Sequence, residues 1–159
     1  MSDLKGMVVF IVDDEDMVLS SIKNILELET DYDIRTFTAP RRALEEMKNM
    51  DVDLVISDYM MPDLDGLEFL SAAKKIHPDT IRILLTGYAD KENAIKAINT
   101  VGLYQYIEKP WNNDDLLLII RNGLEKRKLI KSLKEKIGEL EIAITDLRDI
   151  RSKIFQAFM

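Results

Sequence analysis

The chain has 159 residues, 47% of them hydrophobic and 32% charged, a length that suits one ordinary domain with an appendage and a balance that excludes a wholly disordered polymer. It has no cysteine and one histidine, His77, which excludes disulfide frameworks, thiol nucleophiles, cysteine-ligated zinc or iron and any multi-histidine metal site. The net charge of −7 argues against an all-over basic surface for nucleic acid, yet it is unevenly placed: residues 1–120 hold 12 Lys and Arg against 23 Asp and Glu, or −11, and residues 121–159 hold 10 against 6, or +4.

Residues 7–12 are apolar, rich in β-branched side chains, and stop at Asp13-Asp14-Glu15, the pattern of a strand covered on both faces. This run is far short of the roughly 20 residues of a membrane span, and it follows no basic segment or cleavage site. A soluble, cytoplasmic protein with no membrane partner is expected. Val18, Ile22, Ile25 and Leu26 fall near a 3.6-residue stripe and predict a helix over 17–28. The alternation then repeats. A strand is predicted over 32–37, and a helix over 40–47 opened by Pro40, whose missing N–H costs nothing in a first turn. A strand over 52–57 ends at Asp58, a helix follows over 67–76, and His77-Pro78 breaks it. A strand over 81–85 runs into Thr86-Gly87, a helix covers 90–100, and a fifth strand over 103–107 is closed by Glu108-Lys109-Pro110. Asn113 or Asp114 can cap a last helix beginning near Leu116. Five consecutive strand–helix units require parallel crossovers, hence an α/β, doubly wound five-stranded parallel sheet with helices on both faces.

The last helix continues without proline to the end of the chain, its only interior glycines being Gly123 and Gly138. Taking Leu133 as heptad position d puts Ile130, Ile137, Ile144 and Phe158 at a, and Leu140, Leu147 and Ile154 at d. Alternating spacings of three and four predict a left-handed coiled coil, and Ile at a with Leu at d favours two parallel strands. Lys136 at g and Glu141 at e can pair between helices, whereas Arg151 at an a position weakens the seam locally. The alternative is a solitary amphipathic helix packed back on the domain. The expected division is residues 1–122 as the α/β domain and 123–159 as a coiled-coil dimerisation helix continuous with its fifth helix. The terminal apolar residues from Ile154 to Met159 call for cover by the dimer seam, a partner or a downstream output domain. Seven Lys or Arg between 121 and 136, without aromatic interleaving or a second recognition helix, read as a solvated face and not a nucleic-acid site.

Ligands of doubly wound sheets bind at the carboxyl ends of the strands, and those ends carry Asp13, Asp14, Asp58, Thr86 and Lys109. Three convergent carboxylates repel one another unless a hard cation lies between them, and Mg²⁺ takes oxygen ligands while keeping waters for phosphate to displace. Asp58 can accept a phosphoryl group as an acyl phosphate, Lys109 supplies a point charge, and Thr86 a hydroxyl donor. Singly, each has a plainer reading: Asp13-Asp14 as a helix cap, Asp58 as a turn residue, Thr86-Gly87 as a strand-end turn, Lys109-Pro110 as a solvated charge before a helix. His77 reads as a surface residue, and Trp111 as half-buried against the fifth helix or a partner contact.

The acidic pair Asp13-Asp14, the segment Val52 to Asp58 followed by Met61-Pro62 and Asp65-Gly66, then Leu85-Thr86-Gly87, Tyr106 and Lys109-Pro110 resemble the receiver domain of two-component response regulators over residues 5–125. The resemblance implies the flavodoxin-like strand order 2-1-3-4-5 and a phosphoacceptor signalling protein that catalyses only its own phosphoryl transfer and slow autodephosphorylation. The donor would be a phosphohistidine on a sensor histidine kinase. Mg²⁺ (or Mn²⁺) would bind Asp14, Asp58 and the backbone carbonyl of Met60, with Asp13 acting through a water. Thr86 and Lys109 would contact the phosphoryl group, and Thr86 would couple to Tyr106 as a switch toward a dimeric coiled coil or output partner. Lys109-Pro110 resembles the family's cis bond. Met60 and Tyr88, two residues after Asp58 and Thr86, occupy the positions that set phosphoryl lifetime in the family, and their bulk implies a long-lived state. Three other functions compete: a structural coiled-coil adaptor that never takes phosphate, an aspartate-nucleophile phosphatase of small molecules, and a flavin-binding flavodoxin. The phosphatase is disfavoured because the nucleophile ends the third strand with no cap domain, the flavodoxin because Asp13-Asp14-Glu15 would repel the cofactor phosphate.

Overall fold

A computed structural model describes residues 3–158, so Met159 of the apolar terminus lies outside the described residues. Strands β1 (Val8–Val12), β2 (Asp33–Phe37), β3 (Leu54–Asp58), β4 (Ile81–Thr86) and β5 (Gln105–Glu108) alternate with helices α1 (Asp16–Glu29), α2 (Pro40–Asn49), α3 (Gly66–Ile76), α4 (Lys91–Ala97) and α5 (Asn113–Ala157). Every pairing is parallel, in the order β2-β1-β3-β4-β5. This is the expected doubly wound, flavodoxin-like sheet. Among the described residues no helix is long and apolar enough to cross a membrane.

The period-2 geometry of each strand splits the core into two layers. Val9 and Ile11 of β1 point to the face covered by α1 and α5, where Ile22, Leu26, Leu116 and Ile120 are fully buried. Phe10 and Val12 point to the opposite face, against Met47 of α2, Phe69 and Leu70 of α3 and Ala94 of α4. The central strands β3 and β4 are buried throughout, their polar Ser57, Asp58, Arg82 and Thr86 included, whereas edge strands β2 and β5 are mostly half-buried and expose Arg35 and Gln105.

The chain divides into two compact units, Met1–Arg127 and Lys128–Met159. The first contains the sheet and the opening turns of α5, with Leu124 and Arg127 buried in it. Arg127 is held by carboxylates at the amino end of β3: its Nη2 lies 2.9 Å from Asp51 Oδ1 and its Nε 3.3 Å from Asp53 Oδ1, while Asp53 Oδ2 accepts the Val8 N–H at 2.8 Å. The second unit is helical, with Leu133, Ile137, Leu140, Ile144 and Leu147 exposed along it.

Three local expectations are corrected. The helix expected over 90–100 is a 3₁₀ turn (Tyr88–Asp90), α4 and a π turn (Ile98–Gly102), in which Leu103 N–H donates to Ile98 O at 3.1 Å. Gly102 ends it at φ 71°, a backbone state that favours glycine, and its carbonyl accepts from Arg82 Nε and Nη2 at 3.2 and 3.0 Å. The cap of α5 is Asn112, not Asn113 or Asp114: its Oδ1 accepts the N–H groups of Asp114 and Asp115 at 2.8 and 3.2 Å, so the helix starts earlier than Leu116. His77 is not a free surface residue, because its Nε2–H donates to the carbonyls of Met47 and Met50 and ties the ends of α2 and α3 together. Trp111 is half-buried against the core layer that includes α5.

Candidate functional site

The carboxyl ends of β1, β3, β4 and β5 bring Asp13, Asp58, Thr86 and Lys109 to one rim. Asp13 follows β1, its N–H donating to Phe37 O of β2 at 3.1 Å. Its side chain is fully buried, and Oδ1 accepts the Glu15 N–H at 2.8 Å, a local turn bond. Helix α1 has no side-chain cap at Glu15, so capping does not account for the acidic pair. Asp58 is the last residue of β3, only 6% exposed and paired in register with Leu85 of β4. The carboxylate oxygens of Asp13, Asp14 and Asp58 lie within 4.8 Å of one another, Asp14 being the exposed member.

Lys109 completes the cluster from β5. Its N–H donates to Thr86 O at 2.8 Å, which stitches it to the end of β4. Its Nζ lies 2.9 Å from Asp58 Oδ1 and 3.4 Å from Asp13 Oδ2. The Lys109-Pro110 peptide is cis. Thr86 is fully buried, and its hydroxyl donates to the carbonyl of Gly87 at 3.0 Å. Tyr106 pairs in register with Leu84 and is half-buried against the core face shared by α2, α3 and α4. Met60, 64% exposed, stands on the loop that leaves Asp58, and Tyr88, 82% exposed, opens the 3₁₀ turn that follows Thr86-Gly87.

One ammonium faces two of the three carboxylates, those of Asp13 and Asp58. Burial, reinforced by the charge of Asp58, pushes the Asp13 carboxyl from 3.8 up to about 6 against the opposing effects of the Glu15 N–H and Lys109. Burial works against the charge on Lys109, but its hydrogen bond and attraction to Asp58, with a further contribution from Asp13, hold the ammonium above the usual lysine range. A cluster of hard oxygen donors with a surplus of negative charge and one exposed member fits a divalent cation such as Mg²⁺ or Mn²⁺.

Three supports of the site were not foreseen. A Cβ on Gly66 would lie 2.1 Å from Asp58 O, so only glycine lets the loop after β3 close over the strand end. Beside it, Asp65 and Glu68 form a capping box, Glu68 N–H donating to Asp65 Oδ1 at 2.8 Å; the Asp-x-x-Glu spacing is a legible signal. Arg41 of α2 grips Asp63 through two nitrogens, Nη2 at 3.1 Å from Oδ1, and this pair holds the Asp63 carboxyl below its usual range. No sequence signal links residues 22 apart on different elements.

Comparison with known proteins points the same way. A family model described as the response regulator receiver domain matches residues 9–121. The hydrogenase transcriptional regulatory protein HoxA of Cupriavidus necator is 32% identical over 153 residues, which are 96% of this chain and 31% of that protein. The nitrogen assimilation regulatory protein NtrX of Azorhizobium caulinodans is 35% identical over 129 residues, 80% of this chain and 28% of that protein. The chain thus spans less than a third of the length of these curated relatives. A crystal structure of a response regulator receiver domain protein from Clostridium thermocellum superposes with a TM-score of 0.73 at 33% identity, covering 78% of this chain and 98% of that one.

Proposed function

Because the chain belongs to the response regulator receiver domain family, we propose that it accepts a phosphoryl group on Asp58 from a phosphohistidine of a sensor histidine kinase. The observation that carries this reading is the convergence of three carboxylates within 4.8 Å with Lys109 Nζ 2.9 Å from Asp58. In the transfer, a carboxylate oxygen of Asp58 forms the new O–P bond as the N–P bond of the donor breaks, and the imidazole departs with its electron pair. Lys109 offsets charge on the phosphoryl oxygens, from a position fixed by its backbone bond to Thr86. Thr86 exchanges its hydroxyl bond to Gly87 for one to a phosphoryl oxygen, a stronger, charge-assisted acceptor. Asp14, Asp58 and the Met60 carbonyl would hold Mg²⁺ or Mn²⁺, with Asp13 acting through a water. The cation supplies charge neutralisation between carboxylate and phosphate when bound. Movement of Thr86 draws on Tyr106, whose half-buried ring biases the surface around α4 and β5 between two packings.

Beyond the sheet, the heptad pattern of α5 supports a parallel homodimer that carries the switch to an output domain or partner. A cytoplasmic location belongs to the same proposal. Incubation with Mg²⁺ and acetyl phosphate is expected to label the wild type and leave Asp58→Asn unlabelled; equal labelling of both would remove Asp58 from the role.

A further inference from the structure

The Lys128–Met159 unit carries an apolar stripe wider than one two-stranded seam uses. Its spine is the d line: Leu133, Leu140, Leu147 and Ile154, all exposed. On one side runs the a line, with Ile137 and Ile144 followed by Arg151; on the other runs the g line, with Lys136 and Ala143 followed by Ile150. Ile144 and Ile150 are both about half exposed, at 47% and 53%. A d+a seam is therefore sound through Ile144 and fails at Arg151. A d+g seam fails at Lys136 and is sound at Ile150, one residue before that arginine. Each seam has one charged intruder, and the intruders stand at opposite ends. A polar residue inside a seam costs stability and selects register, so neither arrangement satisfies the whole helix.

We propose that a second copy of this chain docks on this stripe in two alternative registers, d+a and d+g, which share the d line and differ by rotating each helix about 50°, one-seventh of a turn of the heptad wheel. The inference rests on the dimeric reading above. Several features favour a second copy as the occupant. The seven-residue repeat is self-complementary. Glu135, Glu139, Asp146 and Asp149 keep the outer face polar, with Ile142 the exception. Lys136 at g and Glu141 at the following e have opposite charges at the spacing that bridges parallel helices.

The chain contains no cysteine, so single cysteines in the full-length protein report register directly. Ile144→Cys and Ile150→Cys are both expected to form disulfide-linked dimers on mild oxidation, and Asp149→Cys on the outer face is not. In these backgrounds Arg151→Leu should repair the d+a seam, raising cross-linking at position 144 and lowering it at 150 several-fold. Lys136→Leu should do the reverse. Cross-linking at 144 alone, or responses of the same sign at both positions, would overturn the two registers while leaving the dimer. A light-scattering mass above that of a dimer would overturn them too, since a bundle uses the whole stripe at once. A monomer mass with no cross-link at any position would overturn the dimeric reading itself.

Discussion

Burial takes the ordinary acidity from the Asp13 carboxyl, and the loss has a thermodynamic sign. In the folded chain it keeps its proton up to about pH 6, against 3.8 in an ordinary carboxyl. The folded state thus binds more protons than the unfolded between these values, and stability falls as pH rises from about 4 to 6, by about 3 kcal/mol at full ionisation. In metal-free protein the urea midpoint of the wild type should decline across this window relative to that of Asp13→Asn; parallel curves would show that the carboxyl titrates normally. At the neighbouring loops, Met60 and Tyr88 have the bulk to obstruct a water approaching phosphorylated Asp58. Replacing them together, Met60→Asn with Tyr88→Ala, is expected to shorten the phosphoryl lifetime about tenfold, a barrier change of about 1.4 kcal/mol, read as label decay after removal of the phosphodonor. A lifetime no shorter than the wild type's would clear these side chains of the role. The convergence of the site residues was legible because Asp58 and Thr86 end strands while Asp13 and Lys109 directly follow strands, and parallel topology gathers strand ends on one rim. Gly66 was harder to interpret, since its need arises from a contact with Asp58 O that exists only after folding.

Elements buried on both faces announced themselves most clearly. The strands Val8–Val12 and Ile81–Thr86 are apolar almost without break, so their bounds were read to within a residue. At the edge, the strand expected over 103–107 is Gln105–Glu108, because Leu103 N–H is committed to the π turn at Ile98. The π geometry of that turn was illegible in sequence, because its apolar spacing fits an ordinary helix end, although Gly102 at φ 71° marks where it stops. The basic run of 121–136 looked like a uniform solvated face, yet Arg127 is buried against Asp51 and Asp53. Removing one partner of a buried pair strands the other, at a cost of about 3–5 kcal/mol. Arg127→Ala should therefore lower unfolding free energy by that order in a denaturant titration, and Arg127→Met, which retains the packing, by less. A loss below about 1 kcal/mol would mean that water reaches the carboxylates when the arginine is gone.

At the scale of the whole molecule, the proposed chemistry and the proposed assembly fall on different stretches of one chain. A version ending at Arg127 keeps the complete sheet unit, so it should still take label on Asp58 while remaining monomeric at concentrations where the full chain is dimeric. An unchanged light-scattering mass would place the dimer contact elsewhere. Strand β3 gives this division a fixed measure. It begins beside Asp53, the anchor of Arg127, and ends at Asp58, five residues on, a span of about 16 Å for a pleated strand. Groups farther apart than about 10 Å with no shared neighbours act additively, so the two acidic ends of this single rod should be tunable one at a time: damage at the anchor is expected to weaken the hold on the helix without changing the labelling of Asp58, and Asp58→Asn to leave the anchor's grip intact.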